Sequence, residues 1–125
     1  NPNKTTMTQQ ERIKAFEAFD KAHKEAKKKA RAIIGEVQGI TFNLRDKQRK
    51  GEVKINVVDV LNIDFYYEAI LHAEHNILKM YLLLGGIKKD GTEEEFSFVS
   101  QRLNDLMETA KSNFEKIKHL VSKYD

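Results

Sequence analysis

From Phe96 to Tyr124 an apolar or small residue recurs at nearly every third and fourth position: Phe96, Val99, Leu103, Leu106, Ala110, Phe114, Ile117, Leu120, Val121 and Tyr124. That spacing is the period of an α-helix burying one face, sustained over roughly eight turns. The chain opens on the same pattern. Phe16, Phe19, His23, Ala26, Ala30, Ile33, Val37 and Ile40 fall on alternating steps of three and four. Two such stripes must bury their faces against one another or against further helices. The fold class implied is all-α, an antiparallel bundle of three to four long helices.

Local signals set the expected boundaries. Thr8 and Glu11 match a capping box, as do Thr92 and Glu95, and the latter pair opens a helix with three consecutive glutamates where the dipole favours negative charge. The first helix is expected from Thr8 to about Leu44, with Gly35 and Gly39 as points where it could bend or admit a second backbone. Arg45–Glu52 reads as the main loop, and Val53–Val57 as an extended lead. A second helix with a wide apolar face is expected from about Val58 to Leu84, ended by Gly85-Gly86, and Lys88–Gly91 reads as a turn. The expected core is Phe16, Phe19, Ile33, Val37, Ile70, Ile77, Tyr81, Leu103, Leu106, Phe114 and Ile117. Residues 1–7 read as a flexible polar tether and residues 8–125 as one helical domain, a size that sustains its own core.

Composition removes several function classes. With no cysteine there is no disulfide, thiolate metal site or cysteine nucleophile. No apolar run approaches the roughly 18 residues of a membrane span. Phosphate-binding glycine loops, a Gly-x-Ser-x-Gly elbow and a His-Glu-x-x-His pair are missing from the sequence. Of the four histidines, His72 and His75 lie one turn apart near Glu68 and Glu74, and Glu115 precedes His119 by one turn. Their Glu-x-x-x-His spacing differs from the Glu-x-x-His of metal-binding carboxylate bundles. His23 sits on the apolar seam, where a hydrogen-bonded core histidine is the simplest reading. The expectation is therefore a protein without catalytic residues, metal or cofactor.

Charge is distributed unevenly. Residues 1–54 carry 14 Lys and Arg against 7 Asp and Glu, whereas residues 55–125 carry 8 against 12. Lys21, Lys24, Lys28 and Arg31 recur at helical steps on one face, flanked by Lys27 and Lys29, and Arg45, Lys47, Arg49 and Lys50 extend positive charge toward Lys54. Such a surface fits an acidic partner: a host protein, an acidic glycan or, less well without interleaved aromatics, nucleic acid. A solvated lysine-rich face is the alternative. The bundle consumes the apolar faces that a lipid surface would need.

The segment Tyr67-Glu-Ala-Ile-Leu-His-Ala-Glu-His-Asn-Ile-Leu-Lys-Met-Tyr-Leu-Leu-Leu-Gly-Gly-Ile87 resembles the central helix of HEPN domains. The catalytic motif of those that cleave RNA does not follow, because Arg102 meets no histidine before His119. In composition and layout the whole chain resembles the helical surface lipoproteins of Borrelia spirochaetes, with Asn1-Pro-Asn-Lys-Thr-Thr6 as a polar tether ahead of a Lys-, Ile-, Phe- and Asn-rich bundle without tryptophan. That resemblance implies a non-enzymatic protein on the cell outer surface, held to the membrane by a lipid anchor on a preceding cysteine and facing host molecules. A monomer or weak dimer is expected, and the alternative is a cytoplasmic nucleic-acid-binding or HEPN-like helical protein.

Overall fold

A computed structural model describes residues 7–125; residues 1–6 of the expected tether lie outside the described residues. Its last residue, Met7, is half-buried against the core and so belongs to the folded part. The fold is all-α: α1 (Gln9–Arg49), α2 (Val57–Lys79), α3 (Tyr81–Asp90) and α4 (Glu93–Val121), closed by a short 3-10 turn, Ser122–Tyr124. Helices α1, α2 and α4 pack pairwise, and α3 lies mainly against α1.

Both capping boxes form. The Thr8 hydroxyl accepts from the Glu11 N–H at 3.1 Å while the Glu11 carboxylate accepts from the Thr8 N–H at 2.9 Å, and Thr92 and Glu95 repeat the exchange at 3.1 and 3.0 Å. Each box satisfies donors that a helix start otherwise leaves unpaired. The α1 seam is buried at Phe19, His23, Ala26, Ala30, Ile33, Val37 and Leu44. Helix α4 buries Phe96, Val99, Leu103, Leu106, Met107, Ala110, Ile117 and Leu120. These faces meet in one large cluster with Ile70, Ala73, Ile77, Met80 and Ile87. A smaller cluster of Leu44, Ile55, Ile63 and Leu120 closes the other end.

Three expectations differ from the structure, two of them helix boundaries. Helix α1 runs through Gly35 and Gly39 without a break. Both are exposed, with nothing within 4 Å of an added Cβ, so neither marks a close approach among the described residues. Buried Ile33 and Val37 anchor the same turns, and packing outweighs the glycine cost of about 1 kcal/mol each. The helix also passes Leu44 and ends at Arg49, which places Arg45, Lys47 and Arg49 on its last turns rather than in a loop. Cations there complement the helix dipole. The reversal itself uses Gly51 at φ 78°, where glycine has no steric penalty.

The second difference is at the end of α2. Gly85 and Gly86 do not stop a helix; they lie inside α3, and the 88–91 segment stays helical to Asp90. The break comes earlier, at Met80. There the carbonyl of Ile77 accepts from the Met80 N–H at 3.2 Å and from His23 Nε2 at 2.6 Å. A side chain bonded to a backbone carbonyl interrupts the regular ladder at that point. Beyond that break Tyr81, expected in the core, is 61% exposed, and Leu82 is 66% exposed. The real stop is Gly91, whose N–H donates to the Ile87 carbonyl at 3.0 Å. A Cβ there would lie 2.5 Å from that same oxygen and 2.9 Å from Phe96 Cε2.

Third, the apolar face of α2 is narrower than its composition. Ile63, Ile70, Ala73 and Ile77 are buried, but Leu61 and Leu71, within the segment expected to carry a wide apolar face, are exposed. The other expected core residues are buried, except Phe16 and Phe114, which are half-buried at the edge.

Candidate functional site

Because Phe19, His23, Ala26, Ala30 and Ile33 occupy the inner seam of α1, the residues between them point outward by helical geometry. Lys21, Lys24, Lys28 and Arg31 are all exposed there. Counter-charges are few. Lys24 pairs with Asp20 one turn earlier at 2.9 Å, and Arg31 reaches Glu74 of α2 at 3.7 Å. Among the described residues Lys21 and Lys28 make no ion pair. Lys29 beside them is exposed, and Lys27 is half-buried.

The remaining four candidates form a separate group. Arg49 lies in register with Arg31, but five turns and about 27 Å along the helix. Residues 32–44 between the groups contain no lysine or arginine, and Glu36 is their only charge. Within the distal group, Asp46 bonds Arg49 and Lys50, the latter at 2.9 Å. The Lys50 ammonium, and after it Arg49, hold the Asp46 carboxyl below its usual range, while Asp46 raises Lys50 in turn. Lys47 is half-buried and donates to the Tyr124 carbonyl at 3.4 Å. Arg45 is exposed and makes no ion pair among the described residues. The eight basic residues therefore do not form one continuous stripe. The proximal four make an open face; of the distal four only Lys47 reaches another element, while Arg49 and Lys50 pair locally with Asp46.

The histidines do not converge. His23 is 1% exposed and stacks on Phe19 with ring centroids 5.9 Å apart. His72, His75 and His119 are exposed, and His72 touches Asn76 within its own helix. Among the described residues no three His, Asp or Glu side chains gather to hold a metal ion. No helix among them is long and apolar enough to cross a membrane.

Two surface features escape a reading of period alone. The first is a clasp at the base of the bundle: the Tyr124 hydroxyl donates to Asp59 at 2.5 Å and accepts from the Asn56 N–H at 3.0 Å, while Lys123 reaches Asp59 at 3.3 Å. The hydroxyl bond first, then Lys123, holds the Asp59 carboxyl below its ordinary value. Nothing in local sequence links residues 65 positions apart. The second is an apolar row on the outer face of α2, with Val57 73%, Val58 62%, Leu61 63% and Phe65 68% exposed. Its signal was legible, since apolar residues on every side of residues 57–65 exceed what one buried face accommodates.

Comparison of the chain with family models, with curated proteins and with solved structures finds no match.

Proposed function

We propose that the chain is a non-catalytic interaction module that docks an acidic partner, a host protein or an acidic glycan, on the exposed face of α1 bearing Lys21, Lys24, Lys28 and Arg31. The observation that carries this reading is the exposure of four cations along about three turns with only Asp20 and Glu74 as ion-pair partners. The scaffold is read as three long helices in up-down-up order. That reading is supported by cross-links that descend α2 as they climb α1, Arg31 to Glu74 and then Gln38 to Tyr67, while Arg12 meets Gly91 at one end and Lys47 meets Tyr124 at the other. Display on the cell outer surface through a lipid anchor follows from the resemblance to spirochaete lipoproteins, and a cytoplasmic nucleic-acid binder is the competing reading.

The test is binding of heparin and of a single-stranded oligonucleotide by the wild-type chain and by a Lys21→Glu, Lys24→Glu, Lys28→Glu variant. Each exposed substitution is expected to change stability by less than about 0.5 kcal/mol. Heparin binding should weaken with added salt, because surface charges act over only about 8 Å at physiological ionic strength, and should be lost in the variant. Retention indifferent to both changes would reduce the lysines to a solubilising role. Stronger capture by the oligonucleotide would favour the nucleic-acid reading.

A further inference from the structure

The apolar row on α2 has no partner among the described residues, although its residues are poorly chosen for a solvated helix. Val57, Val58, Leu61 and Phe65 are each more than three-fifths exposed. Valine is a weak helix former, so solvent-facing valines gain nothing from local structure. Steps of three and four from Val58 to Leu61 to Phe65 put these side chains on one face, opposite buried Ile63, Ile70 and Ile77. Tyr81, Leu82 and Leu83 are also exposed, but three consecutive residues fan around α3 and make no flat face. Beside the row, Phe42 of α1 is 67% exposed and lines, with Asp64, the groove between α1 and α2.

We propose that a second copy of this chain occupies this face, the two α2 helices packing antiparallel about a two-fold axis near Leu61, the centre of the row. Charge sets the direction. Asp64 and Glu68, both exposed, flank Phe65 at the C-terminal end of the row, and Lys54, also exposed, precedes the N-cap of α2 by two residues. A parallel pair would set Asp64 and Glu68 beside their own counterparts. An antiparallel pair carries each Glu68 to the opposite N-terminal end, where Lys54 and the positive end of the helix dipole lie.

Area sets the strength. Two-thirds of three aliphatic side chains and one phenylalanine amounts to roughly 300–400 Å² of apolar surface. Two such patches with their polar rims fall at the low end of specific interfaces, below about 1,200 Å² in total. The dimer is therefore weak and concentration-dependent. It leaves the basic face of α1 outside the contact and does not depend on what that face binds.

Sedimentation equilibrium of the 125-residue chain tests the pairing. The weight-average mass should rise from 14.5 kDa toward twice that value as concentration approaches about 1 mM. Leu61→Glu should stay at the chain mass with an unchanged helical circular dichroism spectrum; should it fail to fold, Leu61→Gln serves the same purpose with a milder change. Lys54→Glu and Glu68→Lys should each weaken association, and the double exchange should restore it. A wild-type mass that stays at that of one chain overturns the proposal, as does a folded Leu61 variant that still dimerises. Failure of the double exchange to restore association overturns the antiparallel arrangement.

Discussion

His23 Nε2 lies 2.6 Å from the carbonyl oxygen of Ile77, so a side chain from α1 bonds the backbone of α2 three residues before the break at Met80. The oxygen can only accept, which fixes the proton on Nε2. Beyond the break α3 packs mainly against α1, where Ile87 enters the core and Lys88 sits 5.2 Å from the centre of the Phe16 ring. A seam position that could have held leucine therefore does two jobs, filling volume and bonding the backbone where α2 gives way to α3.

Replacing His23 with leucine keeps the volume and removes the donor, leaving the buried carbonyl with only the longer bond from Met80. The loss should be about 1–3 kcal/mol, the range for an incompletely satisfied buried polar group. Urea denaturation measures it directly, and a change below about 0.5 kcal/mol would mean that Met80 alone satisfies the oxygen.

Tyr124→Phe removes the leading cause of the depressed Asp59 pKa. A carboxyl held below its unfolded value of about 3.9 contributes stability that is present above that pH and lost as pH falls through the folded value. Wild type should therefore exceed the variant at pH 7, and the gap should narrow progressively below about pH 4. Parallel pH profiles would show that the hydroxyl's bond to Asp59 adds nothing beyond packing.

The glycines divide into two kinds. Gly35→Ala and Gly39→Ala meet open space on a regular helix and should each raise thermal stability, by about 0.5–1 kcal/mol. Gly91→Ala would press its Cβ against Ile87 and Phe96 and should lower stability by about 1–3 kcal/mol. A loss of stability at Gly35 or Gly39 would indicate a contact made outside the chain.

Leu106, 6% exposed, lies within the α4 face, whereas Phe114 is half-buried at its edge. Leu106→Ala should cost about 2–5 kcal/mol, as other emptied core sites do. Phe114→Ala should cost less despite removing more atoms, since part of its ring is already in water. Chemical denaturation of both variants decides the order.

The candidate site was only partly legible beforehand. Exposure of Lys21, Lys24, Lys28 and Arg31 follows from their offset against Phe19, His23, Ala26 and Ala30, a relation contained in one helix. The separate duties of Lys47, Arg49 and Lys50 depend on Tyr124 and Asp46 and on how far α1 extends.

What the sequence by itself determined is what a single helix decides with its own neighbours. The capping boxes at Thr8 and Thr92 act within one turn, and the seam of α1 and the face of α4 are periodic along one segment. The all-α class followed from these alone. Tertiary structure decided the rest: α1 passing Gly39 unbroken, the helix break at Met80, Tyr81 turned outward, and Tyr124 closing on Asp59. In each case the deciding energy comes from a partner distant in sequence. Packing of Ile33 and Val37 outweighs glycine's entropy, His23 bonds the carbonyl of Ile77, and a hydroxyl bonds a carboxylate brought to it by two helices.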